Sequence, residues 1–416
     1  MYYYYYSLII LFFYLNLIQV IISISPEYNN LISWIRNNGG FISDKITPDE
    51  SSEFNRIMLS NKTISKNELI SFIPEKIILS SINPLLNSIC RRAYGLYHSS
   101  DLECITFFMT LDKFNKTSFF KPYYDYLPKF DMGGAPTSFS EKKLKFYEEL
   151  EFDLYVGISN HKLQNAYNEE VEKILEEKGI KNPFEEFKYN YELVKSRNFA
   201  RPGSDFFFDL NSCVPFIELL NHDNNYNTDF EFDEKNKGFI LKAVRDINLG
   251  EELTLSYGNE SNINLFVTYG FTLKNNIYKN SMRVKIGEGY YRFSGIVRLE
   301  NTIYENRIGF YLPEDILEYI DHDGIDDNEY WIEFSNLIKR LKTPSGSPLG
   351  ESKELTRFEK EKEIVIYNLM LDGLEKKLEK IRLIKEDDIN IKNIIDELVM
   401  SIENYIIILK DLIKVK

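Results

Sequence analysis

"PFIELLNHDNN", Pro215 to Asn225, decides the fold. An apolar run stops at an Asn-His pair, and Asp223 and two more asparagines follow, in a chain of 416 residues with only four histidines. Taken alone, the stretch reads as a buried strand ending in a polar corner, because Asn and Asp are turn formers. The text that follows adds ordered units. "DFEFDEKNKGFILKAV" sets two strand-like runs on either side of a charged tip, Asp233 to Lys237, and Gly238, the pattern of a hairpin. "RDINLGEELTLSYGNESN" then supplies a Gly-Glu-Glu turn, a strand ending in Tyr257 and an Asn-bearing loop, and "LFVTYGF", Leu265 to Phe271, closes the series.

Working upstream, "RPGSD" is a turn by composition and "FKYNYELVKSRNF" a helix with apolar residues at three-and-four spacing, as is "NEEVEKILEEK". "SEKKLKFYEEL" begins with Ser140 as a cap. "SFFKPYYDYLPKF", Ser118 to Phe130, is aromatic and twice prolined, so no regular element is expected there. Asn83 to Leu111 is helical in period, "ELISFIPEKIILS" and "NRIMLSN" are strands, the first broken at Pro74, and "YNNLISWIRNNGG" is a short amphipathic helix. Downstream, "SMRVKIGEGYYRFSGI" is a brief strand-like patch, and helical segments run from about Pro313 to the end around the loop Thr343 to Ser352. There is no internal repeat.

The chain is 44% hydrophobic and 15% aromatic, ample for real cores and for two or more domains. Fifty Lys and Arg against 64 Asp and Glu give a net charge of -14 without a dense basic block, which excludes a nucleic-acid stripe and favours a basic partner. Cys90, Cys104 and Cys213 are widely spaced and odd in number, against a disulfide framework and against a Cys-x-x-Cys zinc site. No metal is expected. Residues 1–25 are apolar or aromatic almost throughout and uncharged. They read equally as a secretory signal, as a membrane anchor or as translated non-coding sequence, so location stays open between the secretory route and the cytoplasm or nucleus. Sequons at Asn61, Asn115 and Asn259 are glycan sites if the chain is secreted.

Asn221-His222, Gly250-Glu251-Glu252, Tyr257, Ser261-Asn262 and Tyr269-Gly270-Phe271, in that order, resemble the carboxyl half of a SET domain. "SFFKPYYDYLP" and "SRNFARP" resemble two further hallmarks of one subfamily, that of the Rubisco large-subunit lysine methyltransferases and the actin-histidine methyltransferase. The resemblance implies an α+β fold: a β-rich SET core of small curved sheets with a pseudoknot, a helical insert and an all-α carboxyl-terminal lobe. The expected boundaries are 26–275 for the SET domain (26–82, an insert at 83–195, and 196–275 with the cofactor site) and 276–416 for a helical substrate-binding lobe.

The resemblance further implies transfer of a methyl group from S-adenosyl-L-methionine to a protein lysine, less readily a histidine, of a non-histone substrate held in the SET cleft and by the helical lobe. Nucleic acid is not an expected partner, and a membrane is one only if residues 1–25 are an anchor. By the same resemblance Tyr257 is catalytic, and Asn221, His222, Arg197 and Asn55 bind the cofactor. Tyr269, Phe271 and Phe208 bind substrate. Chemistry agrees: a free lysine titrates near about 10.4, so a desolvated aromatic channel that favours the neutral amine is useful. Arg197 would pair with the cofactor carboxylate through its fixed fork. Each residue has a structural reading beside this one: core packing for Tyr257 and Tyr269, a surface helix end for Arg197. Glu251 and Glu252 read as turn residues. Two departures stand out, Asn55-Arg56-Ile57 where the family has a Gly-x-Gly loop, and Glu218 where it has Asp. They keep open an alternative of another class, a catalytically silent SET-like module that binds a protein.

Overall fold

The computed structural model describes residues 24–51, 56–80, 83–94, 101–127, 135–200, 211–276, 278, 280, 282–286, 289–293 and 357–415. Residues 1–23, the loop at 343–352 and both Asn55 and Phe208 lie outside them. In chain order the elements are α1 (Pro26–Asn37), β1 (Phe41–Ile42), β2 (Ile46–Asp49), β3 (Ile57–Ser60), β4 (Leu69–Pro74), β5 (Leu79–Ser80), α2 (Pro84–Tyr94), α3 (Asp101–Asp112), α4 (Lys121–Tyr126), α5 (Glu141–Phe146), α6 (Phe152–Ala166), α7 (Glu169–Glu177) and α8 (Pro183–Lys195). There follow β6 (Asn198–Ala200), β7 (Asn211–Cys213), β8 (Asn221–His222), β9 (Thr228–Asp233), β10 (Gly238–Ala243), β11 (Thr254–Leu255), α9 (Asn262–Tyr269), β12 (Met282–Ile286), β13 (Gly289–Phe293), α10 (Arg357–Leu383) and α11 (Ile389–Val415).

Two compact units divide the chain, one made of Met1–Asp131 and Lys162–Gly258, the other of Met132–His161 and Asn259–Lys416. The first holds a four-stranded antiparallel sheet in the order β1-β4-β10-β9, a three-stranded sheet β5-β7-β6, and the two-stranded pairs β2-β3 and β8-β11. α1 starts as its sequence demands: the Ser25 hydroxyl accepts from Tyr28 N and Pro26 sits in the first turn, where its missing N–H costs nothing. Its Leu31, Ile32 and Ile35 join Ile70, Ile73, Phe216, Leu220, Phe239 and Leu255 in one core. The β9-β10 hairpin falls on the expected residues. Asp233 Oδ1 accepts from the backbone N–H of Lys235 and Asn236, and Lys237 takes the left-handed φ of 54°. At Gly238 a Cβ would lie 2.5 Å from Ile73 O, so the hairpin can enter the sheet only with glycine at that position.

Three expectations are corrected. The twice-prolined segment does contain a helix, α4, because Pro122 falls in its first turn, the one place where a helix tolerates proline. The apolar run before Asn221 is not a strand: β7 ends at Cys213, and Ile217–Leu219 is a turn of 3-10 helix entered through Phe216 at φ 76°, ψ -51°. Complete burial made the run apolar without giving it a strand period. Cys90 on α2 and Cys104 on α3 form a disulfide, with Cα atoms 5.3 Å apart, which spacing along the chain could not show.

The second unit packs α10 and α11 with α9 and the β12-β13 hairpin, the strand-like patch of the sequence. Ile391, Ile394, Leu398, Ile402, Tyr405 and Leu409 recur at three-and-four spacing along α11 and are buried. Lys377 is buried with them, and donates to Glu149 O at 2.9 Å and lies 3.7 Å from Glu151 Oε1.

Candidate active site

The Asn-His pair is a two-residue strand that runs parallel to β11, with Asn221 opposite Thr254 and His222 opposite Leu255. Asp223 N donates to Leu255 O at 3.2 Å and extends the ladder. β11 therefore delivers Tyr257 to the side of His222. Tyr257 N donates to His222 Nδ1 at 3.0 Å, and the rings lie 5.3 Å apart at 30°. With Nδ1 accepting, the neutral imidazole carries its proton on Nε2. The Tyr257 hydroxyl donates to Leu220 O at 2.8 Å, so the ring is held at both ends by the segment 220–222. Burial pushes this hydroxyl up to about 12; Arg197 opposes the shift, and Glu218 and Glu252 add to it. Tyr257 thus stays a phenol at neutral pH and is not a base.

Beneath it lies a buried cluster. Phe216 is fully buried at a positive φ, a conformation close to the strained γ-turn, and it turns the chain so that Glu218 points inward. Tyr123 of α4 donates its hydroxyl to Glu218 Oε2 at 2.8 Å, and Arg197 Nη1 donates to the Glu218 backbone carbonyl at 3.0 Å. Desolvation raises the Glu218 carboxyl to about 7, against the pull of Arg197 and of the Tyr123 hydrogen bond. Burial likewise raises the Cys213 thiol and the Tyr123 hydroxyl well above their usual ranges. Among the described residues Glu218 Oε1 and Arg197 Nε have no hydrogen-bond partner.

A third contact ties this region to the segment Arg56-Ile57. Asn221 Nδ2 donates to Arg56 O at 3.2 Å and to Glu252 Oε1 at 2.9 Å. The Arg56 side chain is turned away to Tyr126 of α4, donating to its carbonyl at 2.6 Å with the guanidinium 4.7 Å from the ring centre. Ile57 opens β3 opposite Asp49 and is not among the residues of positive φ, so this backbone does not need glycine at 57.

The structure thus gathers Arg197, Asn221, His222 and Tyr257 in one unit. Tyr269, at the end of α9, and Phe271 lie in the other, their rings 6.1 Å apart. Sequence reasoning missed Glu218 and Tyr123 as partners, although both stood inside motifs it had quoted, and it undervalued Glu252, which anchors Asn221. The signal was a carboxylate and a tyrosine embedded in otherwise apolar runs. The Nε of Arg197, unpartnered among the described residues, is a donor suited to a carboxylate, and Asn221 in the same unit is half-buried, so the residues present fit an amino-acid-bearing cofactor such as S-adenosylmethionine.

Comparison with known proteins bears on this arrangement. A family model described as the SET domain matches residues 55–258. Actin-histidine N-methyltransferase of Papio anubis is 21% identical over 273 residues, 62% of this chain and 44% of that protein. N-lysine methyltransferase setd6 of Danio rerio is 24% identical over 299 residues, 67% of this chain and 64% of that protein. The chain spans about half the length of the curated relatives it matches. The structure of Rubisco LSMT bound to AdoMet superposes with a TM-score of 0.61 at 16% identity, covering 94% of this chain and 93% of that one. The SET domain of LSMT bound to lysine and AdoHcy gives 0.60 at 15% identity, covering 94% and 92%. The fold is α+β, with small antiparallel sheets and much helix, as in these structures.

Proposed function

We propose, from the premise that residues 55–258 are a SET domain, that this protein transfers a methyl group from S-adenosyl-L-methionine to a nitrogen of a protein side chain, a lysine before a histidine. The observation that carries the reading is Tyr257, half-buried beside the Asn221-His222 strand, its hydroxyl held by Leu220 O and its backbone N–H by His222 Nδ1. The bound cofactor supplies a methyl group activated on a sulfonium. Arg197, whose Nε has no partner among the described residues, takes the cofactor carboxylate, Asn221 and His222 form the wall next to it, and Asn55 is assigned to the same cofactor. Tyr257 spends its proton on Leu220 O, so toward an incoming amine its oxygen acts only as an acceptor and orients the amine through an N–H. Because its hydroxyl is pushed up to about 12, the amine must arrive neutral rather than give its proton to this residue. Tyr269, Phe271 and Phe208 are assigned to the substrate side chain, and aromatic surroundings that desolvate it favour its neutral form.

The substrate is a protein, non-histone by the reading, engaged by residues 26–275 as the SET domain and 276–416 as the helical lobe. The alternative, a silent protein-binding module, draws on Asn55-Arg56-Ile57 in place of glycines. The extended backbone at Ile57 and the intact Tyr257 environment support the enzyme. The test is transfer of labelled methyl from S-adenosylmethionine to an array of lysine and histidine peptides. Wild-type protein should label a subset of peptides and Tyr257→Phe should label them far more slowly. Labelling unaffected by Tyr257→Phe, or none from a folded protein that also fails to bind the cofactor, would contradict the reading.

A further inference from the structure

Ser261-Asn262 belongs to the motif series, yet the site above gives Asn262 no task. Asn262 is fully buried in the second unit, and its amide uses its whole bonding capacity. Nδ2 donates to Leu273 O at 3.0 Å and to Glu397 Oε2 at 3.0 Å; Oδ1 accepts from Leu273 N at 2.9 Å and from Asn276 Nδ2 at 3.3 Å. Glu397 in turn accepts from Asn280 N through Oε1 at 2.6 Å, and Asn280 Oδ1 accepts from Ile263 N at 2.8 Å. Glu397 is a charged residue only 5% exposed in α11, and it bonds Asn262 at the start of α9 and Asn280 beyond the helix's other end.

Two further side chains of the same helix act on the same loop. Asn390 Oδ1 accepts from Thr272 N at 2.9 Å and from Thr272 Oγ1 at 3.0 Å, and Asn393 Nδ2 donates to Thr272 Oγ1 at 2.9 Å. Asn390, Asn393 and Glu397 are spaced by three and four, so they form one polar stripe on a helix whose neighbouring Ile391, Ile394 and Leu398 are buried. A stripe of this kind costs desolvation and is retained only where its partners satisfy it. Asn390 and Asn393 are partnered by Thr272, the residue after Phe271, and Glu397 by Asn262 and Asn280, of which Asn262 in turn holds the backbone of Leu273.

We infer that Glu397, with Asn390 and Asn393, makes the last helix a positioning element for the substrate side chain. The stripe fixes the path of the loop that carries Tyr269 and Phe271, and so the width of the channel those two aromatics provide. The inference rests on the reading that assigns them to the substrate. The hydrogen bonds that Glu397, Asn390 and Asn393 make to Asn262, Thr272 and Asn280 stay within the second unit, so their loss should act on the acceptor and not on S-adenosylmethionine.

The experiment compares wild type, Glu397→Gln and the milder Thr272→Val on the peptide that wild type methylates best, alongside calorimetric binding of S-adenosylmethionine and amide hydrogen exchange. Glu397→Gln sets an amide donor against Asn262 Nδ2 or Asn280 N; Thr272→Val removes only the hydroxyl bonds. The expected result is a fall in kcat/KM for the peptide of about 10- to 100-fold in Glu397→Gln and a smaller one in Thr272→Val, with cofactor affinity within about twofold of wild type. Faster exchange should be confined to residues 262–280. Peptide kinetics unchanged in both variants, or cofactor affinity falling in step with peptide turnover, would overturn the inference. A wild type that neither binds the cofactor nor methylates any peptide would overturn the functional reading and the inference with it, whereas normal cofactor binding with unchanged peptide kinetics removes the inference alone.

Discussion

Two buried glutamates, one in each unit, differ in how completely they are satisfied. Glu397 accepts a bond on each carboxylate oxygen, from Asn262 Nδ2 and from Asn280 N, beside an Asn262 amide that is fully engaged, although Asn280 Nδ2 has no partner among the described residues. Glu218 has a bond from Tyr123 on one oxygen and none on the other, and the neighbouring Arg197 Nε is equally unpartnered among the described residues. A carboxylate bonded through both oxygens holds a loop in one place; one with an open oxygen leaves an acceptor for a ligand, and burial keeps the Glu218 carboxyl poised near neutrality. On the proposed function, the neighbourhood of Glu218 belongs to the cofactor side of the site, and Glu397 to the loop that follows α9.

Glu397→Ala gives the largest expected effect. It strands Asn262 Nδ2 and Asn280 N in a buried site and should cost the second unit about 4 kcal/mol, read by denaturant titration. A loss under about 1 kcal/mol would make the two glutamates alike and break the contrast.

Glu218 predicts a pH effect of the opposite kind. Its carboxyl is raised from 4.5 to about 7, so the fold retains a proton that the unfolded chain has released. The stability this supplies is complete below the ordinary carboxylate range and is lost as pH rises through about 7. Glu218→Gln keeps an acceptor for Tyr123 but has no proton to lose. Matched to wild type near pH 4.5, the variant should gain on it by on the order of 3 kcal/mol by pH 8. Parallel stability curves for the two proteins would show that Glu218 is not poised.

Tyr257→Phe sharpens the contrast from the side of function. Loss of the hydroxyl should lower kcat on the order of a hundredfold, with S-adenosylmethionine affinity nearly unchanged. Gly238→Ala, in the hairpin and away from both glutamates, should cost about 1 to 2 kcal/mol by crowding Ile73 O and leave cofactor affinity untouched.

The hairpin and the helix after Ser140 were legible because their signals are local: a charged tip before Gly238, Ser140 as a cap, three-and-four periodicity along α11. The order of the Asn-His, Gly-Glu-Glu, Tyr and Tyr-Gly-Phe units revealed the fold even where single elements were misread. The helix at Lys121–Tyr126 was hidden because proline breaks a helix in general yet starts one at the first turn. The turn at Phe216 was hidden because burial, and not backbone period, set its composition. The roles of Glu218 and Glu397 depend on partners 95 and 135 residues away, Tyr123 and Asn262, which no local pattern encodes.

The central claim, that Arg197, Asn221, His222 and Tyr257 form a cofactor site despite the missing glycines, is tested most directly by calorimetric titration of the protein with S-adenosylmethionine beside Arg197→Gln and Tyr257→Phe. The account predicts micromolar binding by wild type, kept by Tyr257→Phe and weakened about tenfold or more by Arg197→Gln through loss of a charge-assisted bond. A folded wild-type protein that binds no cofactor, or an Arg197→Gln variant that binds it as tightly as wild type, would contradict the account.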